Sequence, residues 1–163
     1  MNNQKGFTLW ELTIVILLIG IFASLTVPVL SHYGRDDLAW SARRIAGTVQ
    51  FLFNEAAISG LEHRLSLEFA ENRLGVMVVE SDRQTVELET WKSRLALPEG
   101  VRIKDIRVAG RGSFSTGSAT IRFFPGGYLE ESIIHLSRET KDLTLRLNPF
   151  TGATDIREGY HEF

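Results

Sequence analysis

The chain has 163 residues, 44% hydrophobic and 23% charged, which suits one compact domain with an appendage but not two full cores. A net charge of −2 excludes a generally basic protein that coats nucleic acid by bulk electrostatics. With no cysteine, a disulfide scaffold, a thiolate metal site and a cysteine nucleophile are excluded as well.

The amino terminus is the most informative stretch. Phe7 to Leu30 supplies 24 residues in which Glu11 is the one charge. About 20 apolar residues cross the hydrocarbon layer, so residues 7–30 are predicted to form a transmembrane helix. The run is too long for an ordinary secretory signal. Lys5 and the initiator amine place residues 1–6 on the cytoplasmic side. Glu11 is the anomaly: a carboxylate inside an apolar segment costs on the order of 2–3 kcal/mol even on lenient scales, which makes it a functional candidate.

Gly6-Phe7-Thr8-Leu9-Trp10-Glu11 resembles the processing site of type IV pilins and type II secretion pseudopilins. There a short polar leader ends in Gly, an aromatic residue follows, and Glu is the fifth residue of the mature chain. The resemblance implies that a prepilin peptidase cuts between Gly6 and Phe7 and N-methylates Phe7, leaving residues 1–6 as a cleaved leader. It also implies that Glu11 pairs with the terminal ammonium of a neighbouring subunit. The physics agrees, because two charges that are each costly in lipid become tolerable when they neutralise each other. Thr8 is either a hydroxyl partner in that assembly contact or a spectator. Trp10 fits an interfacial anchor.

Pro28 lies inside the helical pattern and removes one backbone donor. Either it is a weak point where the helix melts on assembly or it is a plain kink. Beyond Gly34, Leu38, Ala42, Ile45, Val49, Leu52 and Ala56 recur at helical spacing on one face, with Asp36 and Asp37 at the electropositive start and Gly60 as the stop. Residues 31–60 are therefore predicted as an amphipathic helix docked on a globular domain. With residues 7–30 it would form one stalk over 7–59, about 80 Å long at 1.5 Å per residue.

After Gly60 the period becomes two. Leu65, Leu67 and Phe69, then Val86 and Leu88, then Leu143, Leu145 and Leu147 alternate with polar residues. Further strand candidates are Leu74–Val79, Val101–Val108, Thr120–Phe124, Ile133–Leu136 and Ala153–Arg157. Turn chemistry separates them at Glu71-Asn72, Pro98–Gly100, Pro125–Gly127, Glu139–Asp142 and Asn148–Gly152. The fold class is α+β, a long amino-terminal helix packed on an antiparallel β-sheet or β-sandwich domain over 61–163, one face on the helix and the other toward water or partners. This order, with Phe124–Gly127 and Asn148–Gly152 as closing turns, resembles the GspH/FimT group of minor pseudopilins and pilus minor subunits.

That resemblance implies a structural subunit of the periplasmic pseudopilus, anchored by a single pass in the bacterial inner membrane with its carboxy-terminal domain in the periplasm. Its implied partners are other major and minor pseudopilins, the prepilin peptidase, the inner-membrane assembly platform and secreted cargo. The alternative is a FimT-like pilus subunit acting in pilus initiation or DNA uptake. The absent cysteines and the lack of an acidic calcium loop set the chain apart from major pilins and major pseudopilins and favour a minor subunit.

No GxSxG, HExxH or P-loop pattern occurs, the four histidines are dispersed, and nothing calls for a metal, a cofactor or enzymatic activity. His135, between Ile134 and Leu136, reads as an outward-facing strand residue. Glu130-Glu131 reads as a solvated turn, and Gly110-Arg111-Gly112 as a mobile surface loop. Arg102, Lys104, Arg107 and Arg111, with Arg122 and Arg146 on other strands, could contact phosphates. Against that, the tail carries Asp155, Glu158 and Glu162 but only Arg157, so nucleic acid is disfavoured. The cluster reads as a solvated sheet face balanced by Glu87, Glu89 and Glu99.

Overall fold

A computed structural model of the chain describes residues 9–32, 36–80, 85–87 and 96–162, with the side chains of 23–32 and 87 left aside. The chain divides into two compact units, residues 1–36 and 37–163. The single helix expected over 7–59 is described as two, α1 (Leu9–His32) and α2 (Asp37–Ser59). The junction at residues 33–35 lies outside the described residues. Helical backbone runs from Leu9 through Pro28 to His32.

In α2 the apolar stripe read from the sequence is the buried face. Leu38, Ala42, Ile45, Val49, Leu52 and Ala56 are all buried, each at a helical step from the last. Ser41 and Thr48 are buried beside them. Their hydroxyls donate to the carbonyls one turn back, Ser41 to Asp37 at 2.6 Å and Thr48 to Arg44 at 3.0 Å, so neither is stranded in the apolar face. Gly60 ends the helix at φ 70° and returns its N–H to the Ala56 carbonyl, a conformation in which a side chain is disfavoured.

Among the described residues ten strands follow: β1 (Glu62–Glu68), β2 (Arg73–Val79), β3 (Thr85–Glu87), β4 (Arg102–Val108), β5 (Gly112–Phe114), β6 (Ser118–Phe124), β7 (Tyr128–Leu129), β8 (Ser132–Arg138), β9 (Lys141–Leu147) and β10 (Thr154–Glu158). They form two antiparallel sheets of five, in the orders β3-β2-β1-β6-β7 and β10-β9-β8-β4-β5. Eight of these strands coincide with candidates read from periodicity. The other two, β5 and β7, are too short to display a period. The stretch around Gly110-Arg111-Gly112, expected to be a mobile loop, is instead the turn of the β4–β5 hairpin. It is closed by the Arg111 N–H on the Val108 carbonyl at 3.0 Å, because two glycines let the backbone fold sharply back.

Both sheets and α2 share one core. Ile45, Val49 and Leu52 meet Leu65, Leu67, Val76, Ile121 and Phe123 of the first sheet and Ile106, Ile134, Leu136 and Leu145 of the second. Full burial of each such side chain favours the folded state by roughly 1.5–3 kcal/mol. The pairing of β4 with β8 slips between Ile103 and Asp105. This bulge presents consecutive side chains, Lys104 and Asp105, to the same outer region of the second sheet, where a regular strand would alternate them.

Candidate assembly interface

The described side chains of α1, Leu9 to Phe22, are all exposed, Leu9 to 86%. An apolar helix with no polar face needs lipid or other helices around it. Within its first turn stands Glu11, the one acid in the apolar run. Thr13, one turn on from Leu9, satisfies its own hydroxyl by donating to the Leu9 carbonyl at 2.9 Å. Gly6, Phe7 and Thr8 lie outside the described residues. Among the described residues no helix is long and apolar enough to cross a membrane.

The β domain's charges are arranged differently from the sequence expectation. Glu130 is not on a solvated turn: its side chain is 10% exposed. It accepts hydrogen bonds from Arg122 through Nε at 2.8 Å, Nη2 at 2.6 Å and the main-chain N–H at 3.0 Å, with Arg111 Nη1 at 3.3 Å. The Glu130 N–H also bonds the Arg122 carbonyl, which brings the segment between β7 and β8 against β6. Burial pushes the Glu130 carboxyl upward, but the hydrogen bonds and charge of Arg122, assisted by Arg111, outweigh it and hold it below the usual carboxylate range.

Lys104 pairs with Asp142 at 2.8 Å, which raises its ammonium above the ordinary lysine value, and Arg146 pairs with Glu131 at 3.3 Å. Four of the six basic residues thus face carboxylates, so the stripe offers little unopposed charge to a phosphate backbone. The balancing acids among the described side chains are Asp142, Glu130 and Glu131, and the side chain of Glu87 lies outside them. Strand pairing sets these partners: β9 lies next to β8, and Glu130 returns to β6. Glu89 lies outside the described residues.

His135 is the clearest departure from the sequence reading. It points to the outer face of the second sheet as alternation requires, yet it is 2% exposed. Residues 159–162 fold back over it, and its ring stacks on Tyr160 with centroids 3.9 Å apart. No local pattern could signal this, because the cover arrives from 26 residues downstream. A second feature that periodicity missed is Phe150, 77% exposed on a hydrogen-bonded turn. Asn148 Oδ1 accepts from the Phe150 and Thr151 N–H groups, and Pro149 O accepts from Leu129.

Residues 1–27 match the family described as the prokaryotic N-terminal methylation motif. The type II secretion system protein H of Escherichia coli (strain K12) is 34% identical over 83 residues, covering 48% of this chain and 46% of that protein. The protein of the same name from Pectobacterium carotovorum subsp. carotovorum is 24% identical over 88% of this chain and 86% of its own length. The crystal structure of the minor pseudopilin EpsH from Vibrio cholerae superposes with a TM-score of 0.60, at 14% identity, over 78% of this chain and 99% of its own. The chain has the pseudopilin fold. The solution structure of Escherichia coli GspH agrees, with a TM-score of 0.57 at 16% identity over 94% of that chain. The motif match covers the stretch Gly6 to Glu11, the fold match supports the pilin-like reading of the chain, and the alignment to the first relative spans less than half of that protein's length.

Proposed function

We propose that this chain is a minor pseudopilin of a type II secretion system, a structural subunit of a periplasmic pseudopilus and not an enzyme. The observation that carries the reading is Glu11, an acid in the first turn of an exposed apolar helix and the last residue of the processing motif. Before processing, residues 1–6 stand on the cytoplasmic side and 7–30 cross the inner membrane. The peptidase cleaves after Gly6 and methylates the new amine of Phe7, which stays cationic. In the filament that ammonium meets Glu11 of an adjacent subunit, so both charges are neutralised in a medium that solvates neither. The pair also fixes register, because a slip along the helix would strand both charges. Thr8 stands at the same contact, and Pro28 is the place where the helix yields on assembly. The β domain is carried into the periplasm, where it faces major and minor pseudopilins, the assembly platform and cargo.

Co-expression with a prepilin peptidase followed by mass spectrometry tests the first step; the expected product lacks residues 1–6 and carries one methyl group on Phe7. Glu11→Ala should be cleaved normally and fail to enter filaments, and normal incorporation of that variant would sink the pairing. The DNA-uptake alternative predicts salt-sensitive duplex binding by the β domain. The carboxylates facing the basic stripe argue against it, and a gel shift at two salt concentrations decides.

A further inference from the structure

The carboxy-terminal segment Gly159–Glu162 lies as a strap across the outer face of the second sheet. The Gly159 N–H donates to the Asp142 carbonyl at 2.8 Å. The Thr144 hydroxyl donates to the Gly159 carbonyl at 2.7 Å and accepts from the His161 N–H at 3.0 Å. At its centre, His135 Nδ1 is 2.6 Å from Asp105 Oδ1 and His135 Nε2 is 3.0 Å from the His161 carbonyl oxygen. A carbonyl oxygen accepts only, and an ionised carboxylate accepts only. A neutral imidazole has one N–H and can satisfy one of these contacts, not both. The closed strap therefore requires one more proton on the His135–Asp105 pair than neutral histidine beside ionised aspartate would carry. This count is the same whichever of the two residues holds it.

We propose that the strap is a proton-operated latch, closed when the His135–Asp105 pair holds this extra proton and released when the pair gives it up. The 2.6 Å contact is in the short range of charge-assisted hydrogen bonds, as expected for imidazolium against carboxylate. Burial, followed by the Asp105 and Glu162 charges, raises the Tyr160 phenol above its ordinary value. Closure takes up a proton, so it is favoured at low pH and weakens as pH rises.

Charged groups on the neighbouring strands and on the strap surround the ring. On β4, Lys104 lies over Tyr160 at 4.9 Å and opposes the imidazolium, and on β9 its partner Asp142 offsets it. On β10, Arg157 stands opposite Thr144 and pairs with Asp155 at 2.8 Å. On the strap, Glu162 is near Tyr160, and the His161 ring bonds the Glu158 carbonyl at 2.7 Å. His161 is thus the other imidazole at the strap. Release would bare His135 and Thr144, both buried, on the outer sheet face.

Hydrogen exchange of the full chain in detergent, corrected for intrinsic rates, tests the latch between pH about 5.5 and 8.5. The readout is protection of the peptide covering 158–162. Linkage to one proton sets a loss of up to about tenfold per pH unit, and that loss is expected at the upper end. Asp105→Asn should flatten the profile with the strap still closed: its amide donates to neutral Nδ1, leaving Nε2–H for the His161 carbonyl. His135→Phe keeps a ring against Tyr160 and should also remove the pH dependence. His161→Gln keeps the backbone carbonyl and should retain the wild-type profile. A flat wild-type profile, a wild-type profile surviving in Asp105→Asn, or its disappearance in His161→Gln would each overturn the proposal.

Discussion

With its carboxylate only 10% exposed, Glu130 would be forced toward its neutral form if burial acted alone. Three hydrogen bonds from Arg122 and one from Arg111 reverse that, so the group is charged and its charge is stabilising. Arg122 is half in water, which screens part of the effect. Glu130→Gln is therefore expected to cost about 1–3 kcal/mol near neutral pH, at the level of hydrogen bonds to a charged group and below that of a fully buried pair. The carboxyl is depressed in the folded state, so its contribution is complete above the ordinary glutamate value near 4.3 and disappears as pH falls through the folded one. Melting temperatures of wild type and variant should accordingly converge between pH about 5 and 3, and a gap that stays constant over that range would contradict this account.

At the level of elements, legibility follows from how local each signal is. The six apolar positions of α2 could be read off because a helix repeats its face every 3.6 residues and the stripe is long enough to show it. Strands of seven residues such as β2, β4 and β9 carry enough alternation to be found, whereas the three residues of β5 and two of β7 do not. Which sheet a strand joins was not legible at all. Neither were the pairing of Glu130 with Arg122 or the burial of His135, since both depend on chain segments brought together late in the sequence. The closing turn, Asn148–Gly152, shows how local chemistry and distant packing combine. Gly152 has φ 68°, and a Cβ there would stand 2.7 Å from the Phe53 ring on α2, closer than real contacts allow. Gly152→Ala thus meets both backbone strain of about 1–2 kcal/mol and a clash. A loss of at least about 2 kcal/mol in chemical denaturation is expected. Phe53→Gly in the same chain removes both the ring and the Phe53 Cβ, which would stand 2.8 Å away, so the double variant should lose less than the sum of the two singles. Strict additivity would refute the steric part.

For the molecule as a whole, the decisive fact is where the core begins. Its first member is Leu38, at the second position of α2, and no described side chain of α1 belongs to it. Asp37, immediately before, is tied to Arg138 at the end of β8 at 2.7 Å, which anchors the first turn of α2 to the second sheet. The boundary between the two compact units falls at that same point. A division follows, with one unit exposing the apolar side chains of Leu9 to Phe22 and the other folding around its own interior. A fragment of residues 36–163 is then expected to fold cooperatively in detergent-free buffer. A fragment of 43–163 loses Asp37, Leu38 and Ala42 together, leaving Arg138 without its partner and a hole at the top of the core. Leu38 alone accounts for roughly 1.5–3 kcal/mol, and the broken pair and lost helical turn add to it, so this shorter fragment should be less stable by at least about 3 kcal/mol. Thermal unfolding followed by circular dichroism checks both. If 36–163 did not fold, or if the two fragments melted at the same temperature, the core could not start at Asp37 and Leu38.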